Sequence, residues 1–252
     1  MKIKKNENQR RIKIGLFGFG KTGRMVADEF FKDGIFDLEW VVRRTNKDNH
    51  KYATRLLGYE VDDAPIYSVG EMSPIFFQNN PVDIIVDFSS AKAHKQYASA
   101  ADLGIKILSA ISKYKEEDVD DLKQMAEKTA VLYSPNITLG VNFLLVTSQI
   151  LQGIAPHADI EVVEEHFRDK KEQSGTAIKI AEILGLDKDR HVNSIRVGGI
   201  VGKHEIIFGL PNQTIRLVHE SINRAAFGQG AIFASKWLVN APIGMYSMEN
   251  II

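Results

Sequence analysis

Between Ile12 and Phe31 this chain makes its strongest demand on the fold. Ile12-Lys13-Ile14-Gly15-Leu16-Phe17 reads as a short buried strand that runs straight into Gly18-Phe19-Gly20-Lys21-Thr22-Gly23. A helical pattern follows at once, with Met25, Val26, Phe30 and Phe31 on one side. Strand, Gly-x-Gly-x-x-Gly and helix in that order are the context of a dinucleotide-binding βαβ unit. The first glycine allows the tight turn and the second lets a pyrophosphate approach the backbone. The third permits close helix–strand packing, with the helix N-terminus aimed at the phosphates. The bland reading of the hexapeptide is a plain glycine-rich turn, and its place directly after a strand favours the nucleotide site.

The next strand, Leu38 to Val42, ends where an NAD enzyme carries an acidic residue for the ribose diol, and here the chain has Arg43-Arg44. Guanidinium groups take a phosphate in a fork, so the pair predicts NADPH as cofactor, with NADH possible. Two solvated surface arginines are the plainer alternative. Residues 45–81 have no clean period and several turn signals. Strands are then expected at Val82–Asp87, Ile105–Leu108 and Ala130–Tyr133. Helices are expected along Ala93, Tyr97 and Ala101, and over Glu116–Lys128 with its acidic first turn. Strands alternating with helices mean an α/β fold, a Rossmann-type doubly wound parallel sheet. Ligands of such sheets sit beyond the carboxyl ends of the strands. That rule gathers Gly18–Gly23, Arg43, Arg44, Phe88, Ser89, Ser109, Ala110, Ile111, Ser134, Pro135, Asn136 and Ile137 as cofactor-binding candidates.

After Asn136 the texture changes. An apolar helix is expected over Val141–Ile154, then a strand at Ile160–Val163, a charged loop from Glu164 to Thr176, and a helix over Ala177–Leu184. Ser194–Val197, Glu205–Phe208 and Thr214–His219 read as further strands, the last alternating as a half-exposed antiparallel strand does. Pro211-Asn212 is a turn signal. This predicts an inserted α+β substrate domain with an open mixed sheet at residues 137–223. The nucleotide-binding domain would comprise 1–136 and 224–252, with a closing helix over Gly230–Leu238. A sheet with one uncovered face predicts a homo-oligomer.

Composition narrows the function classes. The 252 residues suffice for a full core, and Lys+Arg and Asp+Glu balance at 32 each, so no global field points to nucleic acid or to an anionic membrane. The chain has no cysteine, which removes disulfides, thiolate metal sites and thiol nucleophiles. No apolar run approaches the roughly 18 residues of a membrane span. Met1–Arg11 is polar and basic without an apolar h-region, so it is read as a frayed tail rather than a secretory signal, and the expected compartment is the cytoplasm. His50, His94, His157, His191, His204 and His219 show no metal-ligand spacing, and no metal site is expected.

The chemistry concentrates in Glu164–Thr176. His166 is the natural acid, since an imidazole titrates near neutrality, and Lys170 can hold a carboxylate or stabilise developing charge. Ser174-Gly175-Thr176 opens a helix, where hydroxyls and free N–H groups cap it or cradle a carboxylate. A solvated charged loop and a plain N-cap are the structural alternatives.

Taken in order, these residues resemble the 4-hydroxy-tetrahydrodipicolinate reductase (dihydrodipicolinate reductase) family. The resemblance runs through Gly18–Gly23, Asp87-Phe88-Ser89, Asn136–Asn142, Glu165-His166, Lys170, Ser174–Ala177, Gly199–Glu205 and Phe227–Ala231. It implies an NAD(P)H-dependent reductase of a cyclic imine dicarboxylate in lysine and diaminopimelate biosynthesis, assembled as a homotetramer. It also implies His166 as proton donor, Lys170 as the catalytic lysine, and Ser174, Gly175 and Thr176 as the substrate-carboxylate site. Two departures stand out. The family's second histidine, a substrate contact, is Phe167 here, and the run before Ser174 is one residue shorter. The family's Gly-Thr-Thr-Gly is Ser109-Ala110-Ile111-Ser112. Lost donors of this kind favour a different, less polar carboxylated imine or enamine as an alternative substrate. A non-catalytic dinucleotide-binding protein is the weaker alternative.

Overall fold

A computed structural model describes residues 10–252 and divides them into two compact units: residues 10–137 with 227–251, and residues 138–226 with Ile252. The expected tail falls mostly on Met1–Gln9, outside the described residues. Its last two residues are tied down: Arg10 pairs with Asp83 at 2.7 Å and Arg11 with Asp37 at 2.6 Å.

In the first unit the chain runs β1 (Ile12–Phe17), α1 (Lys21–Lys32), β2 (Phe36–Arg43), α2 (Ala53–Leu56), β3 (Ile66–Ser68), α3 (Pro74–Asn79) and β4 (Ile84–Asp87). It continues through α4 (His94–Tyr97), β5 (Lys106–Ser109), α5 (Glu116–Ala126) and β6 (Ala130–Tyr133). The second unit holds α6 (Leu139–Ile154), β7 (Asp159–His166), α7 (Gly175–Ile183), α8 (Lys188–His191), β8 (Val192–Arg196), β9 (Lys203–Leu210) and β10 (Gln213–Glu220). The chain then returns to the first unit with α9 (Ala225–Leu238) and β11 (Gly244–Tyr246).

The first unit is a seven-stranded sheet in the order β11-β6-β5-β4-β1-β2-β3, parallel throughout. Both faces are covered, so its central strands are buried end to end: Ile84, Ile85 and Val86 are each 0% exposed. Ile14, Leu16, Val26, Phe30 and Leu132 pack with Ala231, Ala234 and Leu238 of α9 on one face. Phe17, Trp40, Phe77, Tyr97 and Ile107 form the other. The segment 45–81, unreadable by period, supplies only a three-residue edge strand, two short α-helices and a 3-10 turn over Val69–Glu71. Such pieces are too short to show a repeat. The helix expected along Ala93–Ala101 is one turn of α-helix continued by a 3-10 helix over Ala98–Leu103. Strand β11, at the sheet edge, left no signal in the sequence reading.

Chain order along this sheet reverses between β1 and β4. That is the position at which doubly wound sheets bind ligands.

The second unit is a four-stranded sheet, β10-β9-β7-β8, in which β7 runs parallel to β8 and antiparallel to β9. Helices α6 and α7 cover one face through Val141, Leu144, Leu145, Ala177 and Ile180, packed on Ile160, Val162, Ile206 and Phe208. On the other face Val218 is exposed, beside the ion pairs Lys203–Glu165 and Arg216–Glu205. Strand β7 is longer than expected. It runs on through Glu164, Glu165 and His166, because β8 and β9 pair with Glu164 and Glu165 on both sides and β8 also pairs with His166. The ladder overrides the poor strand preference of the charged side chains.

Candidate active site

The glycine loop of the first unit shows why each glycine is there. Gly18 has φ +99°, and a Cβ on it would meet the carbonyl oxygen of Phe88 at 2.7 Å. A Cβ on Gly23 would stand 2.1 Å from the Gly18 carbonyl oxygen, so helix and turn touch backbone to backbone. Nothing lies within 4 Å of a Cβ built on Gly20, and this open cradle fits an incoming pyrophosphate. Gly20 also caps α1 with no side chain of its own, leaving the first-turn N–H groups to a ligand. Lys21 is exposed and Thr22 half-buried at this end, while the Phe19 side chain is 3% exposed within the core.

The neighbouring loops divide in the same way. Ser89 is exposed and Phe88 half-buried. They are held by Asp87, whose carboxylate accepts from the Ser89 N–H at 2.8 Å, the Ser89 hydroxyl at 2.5 Å and the Tyr97 hydroxyl at 2.9 Å. Burial pushes the Asp87 carboxyl up to about 6, against the pull of those donors. The Ser109 hydroxyl turns inward to Tyr114 at 2.9 Å, Ile111 is 7% exposed and Ile137 is 1% exposed. A cofactor would meet Ser109 and Ile137 through backbone. Ala110 is half-buried, its N–H bonded to the Asp87 carbonyl at 3.0 Å. The Ser134 hydroxyl donates to the Asn136 carbonyl at 3.0 Å, while Pro135 is exposed. Arg43 is paired with Asp48 at 2.5 Å, whereas Arg44 is exposed with no ion-pair partner among the described residues.

In the second unit the strand period places the site. Ile160, Val162, Glu164 and His166 point to one face of β7, so the apolar core ends in a carboxylate and an imidazole. Register supplies their neighbours: Glu164 stands opposite His204 of β9 and beside Ser194 of β8, and His166 beside Arg196. Glu164 is 0% exposed and fully engaged. It accepts from His166 Nδ1 at 2.5 Å, from Arg196 Nη1 at 2.8 Å and Nη2 at 2.6 Å, from the Ser194 hydroxyl at 2.7 Å and from the Ser174 N–H at 3.2 Å. Burial pushes its carboxyl up, but these donors, led by Arg196, outweigh it and hold it at about 2.

An ionised Glu164 fixes the His166 proton on Nδ1 and leaves Nε2 as the exchanging atom. Nε2 faces Gly202, where a Cβ would approach it to 3.0 Å, so the absent side chain keeps it clear. Burial lowers the His166 pKa, Glu164 raises it, and the positive charges of Lys170 and Arg196 lower it further. Lys170 is half-buried and has no carboxylate partner among the described residues. Its loop is clamped by Arg196, which donates to the carbonyls of Lys170 at 2.9 Å and Glu172 at 3.0 Å.

Ser174 caps α7, accepting from the Ala177 N–H, and its hydroxyl lies 2.7 Å from His204 Nε2. His204 is pushed down to about 3 by burial, with help from His166 and His219, so it is a neutral ring. It stacks edge-on to His166 with ring centroids 5.4 Å apart. Gly175 is exposed with open space around its Cα, and Thr176 is half-buried. Phe167 is 37% exposed just past the strand end.

His166, Lys170 and Ser174 therefore converge, and the structure adds three partners that sequence reasoning passed over: Glu164, Arg196 and His204. One signal was available for Glu164, since it stands two residues before His166 and hence on the same strand face. Among the described residues no cluster has the donors to hold a metal ion.

Comparison with known proteins agrees in both units. The N-terminal model of dihydrodipicolinate reductase matches residues 12–137 and the C-terminal model matches residues 139–252. The chain is 32% identical to the 4-hydroxy-tetrahydrodipicolinate reductase of Archaeoglobus fulgidus over 92% of this chain and 96% of that one. It is 28% identical to that of Syntrophus aciditrophicus over 93% and 96%. The fold matches a dipicolinate-bound dihydrodipicolinate reductase from Paenisporosarcina sp. TG-14 with TM-score 0.78, at 19% identity over 96% of this chain and 100% of that one. An amine dehydrogenase from Mycobacterium smegmatis follows at TM-score 0.68, 10% identical over 97% of each. With both halves matched and the nucleotide loop in place, the chain is an oxidoreductase that belongs to the dihydrodipicolinate reductase family.

Proposed function

We propose that this chain reduces 4-hydroxy-tetrahydrodipicolinate with NADPH, as its relatives' names describe, with NADH accepted as well. The first unit would bind the dinucleotide, which supplies the hydride. Gly18, Gly20 and Gly23 shape its cradle, the N–H groups of Lys21 and Thr22 meet the pyrophosphate, and Arg44 meets a 2′-phosphate. Phe88, Ser89, Ala110 and the backbone of 134–137 line the rest. The second unit would bind the substrate and return the proton.

The observation that carries this reading is the pairing of Glu164 with His166 beside the N-terminus of α7. An imidazolium at His166 is stabilised by the buried carboxylate and can release its Nε2 proton to the atom left electron-rich by hydride addition. Lys170 and the N–H groups of Gly175 and Thr176, at a helix N-terminus, suit substrate carboxylates. Arg196 positions the loop bearing Lys170 without touching substrate. The open face of the second unit supports a homo-oligomer, a tetramer by family likeness, checked by mass in solution. A cytoplasmic location suits a reaction that draws on reduced dinucleotide.

Phe167 motivates a second reading, in which another carboxylated imine or enamine is the substrate, because an apolar ring replaces a hydrogen-bonding contact. The test is NADPH oxidation with 4-hydroxy-tetrahydrodipicolinate set against other cyclic imino acids. The proposal expects the highest kcat/KM with the first. A clear preference for a less polar imine would overturn it in favour of the second reading.

A further inference from the structure

The loop after β2 contains an acidic side chain that neither motif nor family resemblance singles out. Arg43 is the last residue of β2, and the carbonyl before it, that of Val42, accepts from the N–H of Gly18 at 2.9 Å, so it borders the glycine turn. Its guanidinium is not turned to solvent. Nη1 meets Asp48 Oδ2 at 2.5 Å, with both side chains mostly covered at 18% and 12% exposure. The other carboxylate oxygen of Asp48 takes Lys51 Nζ at 3.1 Å.

Asp48 is held in place by backbone rather than by chance of rotamer. It lies at φ +62°, in the left-handed region. The turn around it is closed by Asn49 N–H to Asn46 O at 3.1 Å and Lys51 N–H to Asp48 O at 3.1 Å, and is tied to β3 by His50 N–H to Ile66 O at 2.7 Å. A carboxylate thus stands at the end of β2 after all, five residues later than the usual position.

Resting on the reading of the first unit as a dinucleotide site, we infer that Asp48 is a specificity-determining residue that sets the balance between NADPH and NADH. Its charge engages Nη1 of Arg43 and opposes a 2′-phosphate on that guanidinium, leaving Arg44 as the cation for that group. An unphosphorylated ribose brings no such charge and meets no penalty. Asp48 would then keep NADH usable in a chain whose Arg43-Arg44 pair would otherwise select NADPH.

Asp48→Asn tests this, because Asn also tolerates a positive φ and keeps the turn while losing the charge. Binding of NADPH and of NADH to the full chain is measured by fluorescence titration without substrate, alongside the kcat/KM ratio. The expected result is a rise of about tenfold or more in NADPH-over-NADH preference, through tighter NADPH binding that weakens with salt. In the double variant Arg43→Ala with Asp48→Asn the gain should vanish. An unchanged ratio in Asp48→Asn, or a gain that persists in the double variant, overturns the role of Asp48 while the dinucleotide site stands. Failure of the unsubstituted protein to bind either dinucleotide overturns both. If Asp48→Asn does not fold, Asp48→Gly, which has no Cβ to strain at φ +62°, gives the same readout.

Discussion

The two units build their candidate sites by opposite means. In the first, the site is made of backbone: a turn at Gly18, an open Cα at Gly20, a touching pair at Gly18 and Gly23, and a helix start without a side-chain cap. In the second, it is made of side chains whose charges are buried. Glu164 is 0% exposed and His166 is 8% exposed, and both are carried on the strand face that bears the core. A backbone site holds its shape through chain geometry and can stay exposed and charge-poor. A side-chain site of this kind depends on partners from three strands and a helix, and losing one partner strands a charge in a dry place.

The sharpest way to test this contrast is at His166. His166→Gln should lower kcat by about 10²- to 10⁴-fold, the usual worth of a positioned acid. The dissociation constant for NADPH should stay within error, since the proposed cofactor site is built from the first unit. Unchanged turnover would remove His166 as the donor.

Next in size is Glu164→Gln, which leaves Arg196 without its counter-charge. It should destabilise the protein by about 3–5 kcal/mol, the cost of breaking a buried pair from one side, measured by urea unfolding near pH 7. The sign with pH follows from a carboxyl held at about 2, below its ordinary value of 4.5. Stability from this group is full above pH 4.5 and is lost as pH falls through about 2, so the gap between wild type and variant should close in acid. A gap that widens in acid would mean that Glu164 does not hold the network.

Gly20→Ala should behave in the reverse manner. A methyl group there meets nothing in the free protein, so stability should change by less than about 0.5 kcal/mol. Dinucleotide affinity should nonetheless fall about tenfold, or about 1.4 kcal/mol. A folding defect without an affinity change would contradict the backbone-cradle description.

A smaller effect is expected in the pH profile. If protonated His166 is the active form, kcat/KM falls with rising pH, and burial moves that limb below the ordinary imidazole value of 6.5. A limb well above 6.5 would require another acid. Smallest of all is Phe167→His, which restores one exposed polar contact. It should raise kcat/KM for 4-hydroxy-tetrahydrodipicolinate by no more than about tenfold, the net worth of one hydrogen bond. A larger gain would mark Phe167 as a substrate filter.

The contrast also explains what could be read from sequence. A glycine loop is legible because each requirement falls on one residue and its near neighbours, so Gly18, Gly20 and Gly23 state their roles in order. The parallel sheet was legible from its runs of apolar residues. Glu164 was not, because charged residues at a strand end look like a loop until pairing partners are known. Arg196 and His204 lie 30 and 38 residues beyond His166, and only the register of β8 and β9 brings them together. Nor could sequence show that Arg43 is already engaged by Asp48. Its neighbour Arg44 looks identical in the sequence and is solvated in the fold.

The position of Glu164 and His166 on the core face of β7 has a practical consequence. Slipping β7 by one residue would turn Ile160 and Val162 outward, and it would carry Glu164 and the proposed proton donor His166 out with them. Hydrophobic packing and the proposed proton transfer would therefore share a single alignment, and a chain that has paired this strand wrongly would have no route to partial activity. Turnover per molecule in a refolding mixture should then count correctly assembled chains directly, with the enzyme serving as the assay of its own folding.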